Sequence, residues 1–351
     1  MVRPRWALFA LLIFLPLLSG CQVTYLIKSA YWQAGLLNSR VPIDEALSDP
    51  NLSEEQKRKL RLAQEARAFA ETQLGLKPTQ NYTSYVQLDR PYVTYVVSAA
   101  HKNKLEAYKW WFPIIGSVPY KGYFNPDGAK EEADRMKKKD LDVYVRGVSA
   151  YSTLGWFKDP ILSSMLAYKD HDLVNTIIHE TVHATIYVKS EADFNERLAV
   201  FIGNKGAEEY YRSKEGPNSK TLSTMRDDLH DERLFSDFIS KEVQSIEKWY
   251  EERLSRPLSE EERQARLKEI QTRFATEVRP KLKLADSYKN FETIELNNAR
   301  LVNYRLYFEN LDDFERVFEK LGRDFKKMLE FCKTLEKAED PKAELAKAAG
   351  S

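Results

Sequence analysis

The segment best suited to chemistry carries two histidines four residues apart, with a glutamate directly after the first. These residues are His179, Glu180 and His183, which lie in the stretch 175–186. On a helix, side chains four residues apart project from one face, so both imidazoles can bind one metal ion. Glu180 lies about 100° further round the helix, near enough to reach a water on that metal. The H-E-x-x-H spacing therefore predicts one Zn²⁺ per chain with a general base beside it.

A catalytic zinc needs a third protein ligand and keeps one position for water. The longer metzincin pattern fails here, because Ile186 and Lys189 occupy its Gly and His positions. Glu196 is our candidate third ligand, since it enters a second helix among apolar residues, and a buried carboxylate in such surroundings calls for a cation. Four other carboxylates stay open as alternatives: Glu191, Asp193, Glu208 and Glu209.

Two helices must position these ligands. The histidine helix is predicted to be buried on most sides, because most of its other residues near the motif are apolar. These apolar residues are Val174, Ile177, Ile178, Val182 and Ile186. Small residues give the Glu196 helix a face able to pack closely on the first, and they are Ala199, Val200 and Gly203. Residues 23–76 also look helical, with a capping box formed by Ser53 and Gln56 at the start of a second helix.

The pattern between these helical regions is different. From Tyr82 to Val97 aromatic and β-branched residues recur at a period near two, with a break at 89–91, which predicts a β-hairpin. A polar helix over 127–139 and strands over 141–145 and 148–153 follow. We therefore expect an α+β, predominantly helical fold, with a mixed α/β region over 21–170 and a helical catalytic region over 171–335.

The catalytic region contains a predicted insertion of two long helices, at about 221–254 and 259–284. Ser259 and Glu262 supply a capping box for the second of them. Their charge-rich faces are expected to be solvated, and a coiled coil that binds a protein partner through 221–284 is the alternative. Residues 336–351, rich in Ala, Lys and Glu, are expected to form a flexible tail.

Composition excludes several classes of protein. Among 351 residues, 54 are Lys or Arg and 53 are Asp or Glu, so the net charge is only +1. No strong field is left to hold a phosphate backbone, which argues against nucleic-acid binding. Mean hydropathy is −0.54 and the sequence has one notable apolar run, which excludes a polytopic membrane protein.

That apolar run lies at the N-terminus and has the layout of a secretory signal over residues 1–20. Arg3 and Arg5 precede the apolar stretch 6–18, and small residues then lead to Cys21. Leu18-Ser19-Gly20-Cys21 resembles a bacterial lipobox, whose cysteine is acylated after cleavage. By the same resemblance, Gln22 in place of aspartate suggests an outer-membrane anchor facing the periplasm. Cys332 would then be the other cysteine, expected in the core.

Four groups of motifs resemble, in order, those of the bacterial Putative aminopeptidase family of exported, zincin-like lipoproteins. They are 112–116 with 120–124, 150–157 with 159–160, the segment 179–183 followed by 194–196, and 296–301. The resemblance covers about residues 20–330. It implies a zincin-like metallopeptidase fold and an aminopeptidase acting on peptides. It also implies His179, His183 and Glu196 as zinc ligands and Glu180 as base.

Two functions are open from the sequence. The first is a zinc metallopeptidase, in which Tyr123 or Tyr307 could donate a hydrogen bond to the oxyanion, although both tyrosines could equally be core residues. The second is a non-catalytic envelope lipoprotein with a structural metal site and a partner-binding helical pair. Glu180 favours the first, because a structural site has no use for a general base and usually has a fourth Cys or His. His171 begins the same helix, but at a poorly matched angle.

Overall fold

The computed structural model describes residues 20–112, 116–150, 158–189, 191–253, 258–284, 286–307 and 311–350. The helices are α1 Gly20–Asn38, α2 Ile43–Ser48, α3 Glu54–Thr72, α4 Pro126–Lys137, α5 Asp170–Thr185, α6 Ala192–Glu215, α7 Lys220–Glu251, α8 Glu260–Arg273, α9 Asn298–Tyr307, α10 Asp312–Lys320, α11 Phe325–Leu335 and α12 Pro341–Ala349. The strands are β1 Val41–Pro42, β2 Ser84–Val86, β3 Thr94–His101, β4 Trp110–Phe112, β5 Gly116–Val118, β6 Tyr120–Tyr123, β7 Leu141–Val148 and β8 Ile161–Leu162. The predicted α+β, mainly helical class is confirmed.

The strands form three small sheets, with orders β1-β2-β8, β6-β3-β7 and β4-β5. The predicted hairpin over 82–97 is wrong, because β2 and β3 belong to different sheets. Tyr85 on β2 pairs with Val41 and, in parallel, with Ile161. In contrast, β3 pairs antiparallel with β6 and β7. The period-two pattern identified the strands correctly, but their partners come from distant parts of the chain.

The sheet β6-β3-β7 is covered on both faces, as the alternation along β3 requires. Val97 and Ala99 pack towards the clusters that include α4, whereas Ala100 joins a cluster with α7, α8 and α9. In place of the two strands predicted over 141–153, one strand runs from Leu141 to Val148. The end of the second predicted strand lies outside the described residues.

The main core is built by α3, α5 and α6 together with the β1-β2-β8 sheet. The predicted capping box starts α3, since the Ser53 side chain accepts from the Gln56 backbone N–H and the Gln56 side chain accepts from that of Ser53. At the start of α5, Asp170 is 2.7 Å from Arg58 and 2.8 Å from Lys59, both on α3. An acidic residue also suits a helix N-terminus. The histidine helix is therefore held from its first turn.

The long helical pair is present as α7 and α8, although α8 ends at Arg273 and a π-helical turn Phe274–Val278 and a 3-10 turn Arg279–Lys281 follow it. Ser259 caps α8 by accepting from the Glu262 N–H. The apolar side chains of the pair form one core with residues of β3 and α9. The helical pair is attached to the sheet by a buried ion pair, in which Arg263 lies 2.6 Å from Asp142 on β7. The pair is thus packed into the fold, and its role in binding a partner stays a prediction.

The expected flexible tail at 336–351 is wrong over most of its length. Asp340 caps α12, and Leu345 and Ala349 are 1% and 3% exposed in the main core. Although the segment is rich in Ala, Lys and Glu, its buried residues Leu345 and Ala349 form an apolar stripe on α12. This helix packs against α10 and α11. Cys332 on α11 is fully buried, as expected.

Among the described residues, none of the helices is long and apolar enough to cross a membrane. Residues 1–19, which contain most of the predicted signal, lie outside the described part. Cys21 falls in the first turn of α1, but its side chain is also outside it.

Candidate metal centre

Two neighbouring helices bring the predicted ligands together. His179 and His183 lie one turn apart on α5, and Glu196 lies in the second turn of α6 after a short connection. The two Nε2 atoms are 3.2 Å apart, and each faces a different oxygen of Glu196. Glu196 Oε2 lies 3.6 Å from His179 Nε2, and Oε1 lies 3.4 Å from His183 Nε2. One donor atom from each of the three residues lies within 4.8 Å of the other two.

The spacing of these side chains suits a zinc ion. With bonds of about 2.0–2.1 Å in a tetrahedral arrangement, two ligand atoms are separated by about 3.3–3.4 Å. The two Nε2 atoms, 3.2 Å apart, are close to that separation, and each has a Glu196 oxygen at 3.4 or 3.6 Å. In the described part of the chain, this is the one group of three His, Cys, Asp or Glu side chains whose donor atoms converge enough for a metal ion. His179, His183 and Glu196 could therefore hold Zn²⁺ and leave a further coordination position.

Glu196 is more exposed than its apolar sequence neighbours predict. Its side chain is 61% exposed, whereas those of His179 and His183 are 18% and 5% exposed. The apolar neighbours of Glu196 in the sequence face the core, while Glu196 itself faces the two imidazoles at an open rim. The cluster is thus closed on the α5 side and open to solvent on the Glu196 side, which gives a substrate access.

The ionisation of Glu196 suits metal binding, whereas that of His183 opposes it. Desolvation opposes the charge on Glu196, but its interactions with His179 and His183 outweigh this and hold its pKa well below the usual range. Desolvation lowers the pKa of His183, but Glu196 and Glu180 together raise it by more. The carboxylate is therefore ionised near neutral pH, and a metal ion must displace a proton from His183 as it binds.

Glu180 lies beside this cluster, half buried on α5, and its Oε2 atom is shielded from solvent. Two tyrosines share its surroundings. Burial raises the pKa of Tyr82 and of Tyr168, and the negative charge of Glu180 raises both further. Tyr82 is 2% exposed and has a φ of +60°, an uncommon conformation for a bulky residue.

The sequence gives no signal that singles out Tyr82 or Tyr168 among the 19 tyrosines. Tyr82 is the first residue of the predicted hairpin, and Tyr168 precedes α5 without any motif of its own. The electrostatic influence of Glu180 on both hydroxyls depends on the folded structure, which no local spacing encodes.

The two tyrosines proposed from the sequence are placed differently. The Tyr123 hydroxyl donates a 2.7 Å hydrogen bond to Glu132 on α4. Burial and this bond raise the pKa of Tyr123. Tyr307 ends α9, but its side chain lies outside the described residues, as do 113–115 and 151–157 of the recognised motifs. The assignment of either tyrosine as an oxyanion donor stays a prediction.

Part of the recognised 296–301 motif has a structural explanation. Asn298 is fully buried, and its side chain accepts from the Tyr250 hydroxyl and donates to the His101 carbonyl. It therefore joins α7 and β3 to the start of α9. His171 is likewise engaged elsewhere, since its Nε2 lies 3.0 Å from Asp228 on α7.

The close approach of α5 and α6 depends on glycine. A Cβ at Gly203 would lie 2.9 Å from Asn175 Oδ1 and 3.3 Å from His179 Cβ. The predicted small face of α6 thus packs on the histidine helix at this point. A shift of α5 here would move His179 relative to Glu196.

We expect Gly203→Ala to lower zinc affinity about tenfold or more. The added Cβ would crowd Asn175 and His179 and lower the free energy of unfolding by about 1–3 kcal/mol, whereas the better helix propensity of Ala would raise it by about 1 kcal/mol. The variant should therefore still fold. Calorimetric zinc titration measures the affinity. Gly35→Ala is the matched control, because a Cβ there meets nothing within 4 Å. Unchanged zinc affinity in Gly203→Ala would contradict this account of the packing.

The connection between α5 and α6 is held by Asn195. Its Oδ1 accepts from the Val188 N–H at 2.9 Å, and its Nδ2 donates to the Val188 carbonyl at 2.8 Å. Asn195 and Val188 are 4% and 3% exposed. Asn195, the residue directly before Glu196, is therefore fixed to Val188 in the connection that follows the histidine helix.

Asn195→Ala should destabilise the metal-free protein by about 2–4 kcal/mol, because both backbone groups of Val188 lose their partner in a buried place. Urea unfolding measures this loss. Asn38→Ala, at the exposed end of α1, is the control and should change stability by less than about 0.5 kcal/mol. Equal unfolding midpoints for the two variants would be evidence against the role of Asn195.

Comparison with known proteins places the chain. A family model described as Putative aminopeptidase matches residues 24–347. No curated protein matches the chain, and no solved structure does. The matched range includes the three ligand candidates and Glu180. The description of the family names a peptidase activity. The chain therefore belongs to the Putative aminopeptidase family.

Proposed function

We propose that this protein is a zinc-dependent metallopeptidase that acts as an aminopeptidase. The observation that carries the proposal is the convergence of His179, His183 and Glu196, whose donor atoms lie within 4.8 Å of one another, with Glu180 as their neighbour. The membership of the chain in a family named for peptidase activity supports it independently. One zinc ion per chain is proposed, held by these three side chains.

Each residue has a defined task. Bound Zn²⁺ would lower the pKa of a water towards about 7 and polarise the scissile carbonyl. His179 and His183 would hold the metal as neutral imidazoles, and the Glu196 carboxylate would offset part of its positive charge. The Glu180 carboxylate accepts the proton of the attacking water and passes it to the departing amine, as general bases do. The buried surroundings on the α5 side keep these donors in place.

The preference for a free amino terminus comes from the family description. Peptidase activity by itself is favoured over a structural metal site because Glu180 is held at the cluster. The oxyanion donor is proposed among Tyr123 and Tyr307, as the sequence suggested, and Tyr82 and Tyr168 join them through their proximity to Glu180.

The direct test compares two peptide libraries on the purified zinc-loaded protein, one with free and one with acetylated amino termini. We expect cleavage of the free peptides one residue at a time and at least about 100-fold slower cleavage of the acetylated ones. Equal cleavage of both would make the protein an endopeptidase. Stoichiometric zinc without any cleavage would favour the non-catalytic lipoprotein instead.

We further propose that the protein is a lipoprotein of the bacterial cell envelope, acylated on Cys21 and facing the periplasm from the outer membrane. The basic, apolar and small-residue order of residues 1–20 supports this. Mass spectrometry of the mature N-terminus should find an acylated Cys21 as its first residue. A peptide that begins upstream of Cys21, or a Cys21→Ser variant that fractionates like the wild type, would refute the anchor.

A further inference from the structure

Helix α1 turns an unusual surface to solvent. Its large apolar side chains Leu26, Ile27 and Tyr31 are 44%, 64% and 73% exposed. Ile27 and Tyr31 lie one turn apart and so form a continuous strip. Lys28 is the one charged residue in the sequence of α1, which contains no acidic residue. We call these three apolar side chains the α1 surface.

The orientation of this helix is set by contacts on its opposite side. The Tyr25 hydroxyl donates a 2.8 Å hydrogen bond to the Gly122 carbonyl, and Lys121 lies 4.3 Å from the Tyr25 ring. Leu36, at the other end of α1, is buried in the main core. The inward side of α1 is thus docked on the protein, and the α1 surface faces outward as a consequence.

Aromatic neighbours of Tyr25 strengthen this docking. The Tyr25 ring lies 5.8 Å from Phe112 on β4 and 5.4 Å from Tyr123 on β6. These contacts fix the inward side of α1 to two strands and leave the α1 surface as the exposed face of the helix.

From this face we propose that α1 lies in the interface of a phospholipid bilayer, with the α1 surface inserted among the lipids. Trp and Tyr favour the boundary between hydrocarbon and water, and apolar helix faces insert there. Lys28 can extend its ammonium to lipid phosphates.

The position of α1 in the chain favours a bilayer over a protein as the occupant. Only Ser19 separates the apolar run Trp6–Leu18 from Gly20, where α1 begins. Whether Cys21 is acylated or the run is retained, α1 begins next to the membrane, about 10 Å before Ile27 along the helix. The inference shares with the proposed anchor only this position near a bilayer, and it is independent of the proposed catalysis.

The test uses the mature polypeptide from residue 21 with Cys21→Ser, which has no acyl chain. Vesicles of phosphatidylethanolamine and phosphatidylglycerol should co-sediment with it. Ile27→Asp combined with Tyr31→Asp should lower the partition coefficient about tenfold or more, since two exposed apolar side chains no longer insert. Tyr187→Asp, at a side chain 48% exposed outside this face, is the matched control and should change it less than about twofold.

A second measurement locates the contact. Brominated lipids should quench the fluorescence of a tryptophan placed in the α1 surface by Ile27→Trp, whereas a tryptophan placed outside it by Tyr187→Trp should not be quenched. Absence of vesicle binding, or equal loss in Tyr187→Asp, would overturn the proposal. A dimer in sedimentation analysis that the Asp pair dissociates, without vesicle binding, would assign the face to a second copy instead. Vesicle binding by a protein whose Cys21 proves unmodified would uphold this proposal and refute the anchor alone.

Discussion

Glu180→Gln is expected to lower the turnover of peptide substrates by at least about 100-fold while the protein folds and binds zinc as before. General-base catalysis contributes about 10²- to 10⁴-fold, and Gln keeps the size of Glu but cannot accept the proton. Because Glu180 is not one of the three ligand candidates, zinc content should stay at one per chain. The measurement is kcat with the best substrate from the free-amine library, together with elemental analysis.

The control for this variant is Glu209→Gln, which removes the charge of a half-exposed carboxylate on α6. It should leave kcat within about twofold of the wild type. A Glu180→Gln protein with wild-type kcat would end the proposed mechanism. A fall in zinc content together with kcat would instead make Glu180 a ligand.

Removal of a ligand should have the second large effect. We expect Glu196→Ala and His183→Ala each to lose at least about 100-fold in zinc affinity, since even changes to residues that only support a metal ligand cost about 10- to 100-fold. At zinc concentrations 100 times the wild-type Kd, the metal should stabilise the folded wild type by about 2.7 kcal/mol and both variants by at most about 0.4 kcal/mol. Thermal unfolding with and without zinc measures it.

His171→Ala is the matched control, because it removes an imidazole from the same helix without changing the cluster. Its zinc-dependent stabilisation should equal that of the wild type. If Glu196→Ala kept stoichiometric zinc, the third ligand would be one of the other carboxylates. If His171→Ala lost the stabilisation as well, the metal would bind elsewhere on α5.

The histidine pair could be predicted from the sequence because helix periodicity is local. Four residues on a helix place His179 and His183 on one face whatever the rest of the fold does. Glu196 was also selected, but for a reason that the structure does not support, since its side chain is 61% exposed. The apolar residues next to it in the sequence lie on the buried side of α6, whereas the carboxylate lies on the exposed side.

Strand pairing and the C-terminal helix could not be predicted in the same way. The pattern around Tyr85 and Val97 identified strands, but the partners of each strand lie far away in the sequence, where a period of two carries no information. In α12, Leu345 and Ala349 are one turn apart in a stretch of otherwise ordinary Ala, Lys and Glu. Their burial depends on α10 and α11, which supply the apolar surface that they cover.

The glycine contact at Gly203 and the Asn195 bonds belong to the same class of features. The sequence suggested that α6 has a small face, and the structure confirms the contact with α5. The role of Asn195 could not be inferred, because an asparagine at the start of a helix is ordinarily a cap. Here its side chain instead forms hydrogen bonds with both the backbone N–H and the backbone carbonyl of Val188.

All three proposed ligands lie on one helix–loop–helix unit, α5 and α6, and this has a consequence for the order of folding. Contacts that are close in sequence close small loops, so they cost little chain entropy and can form early. Zinc present during refolding should therefore bind this unit before the sheets have paired and should speed the folding of the whole chain. Zinc added after folding should slow unfolding alone. The metal would then act on the assembly of the protein as well as on its chemistry.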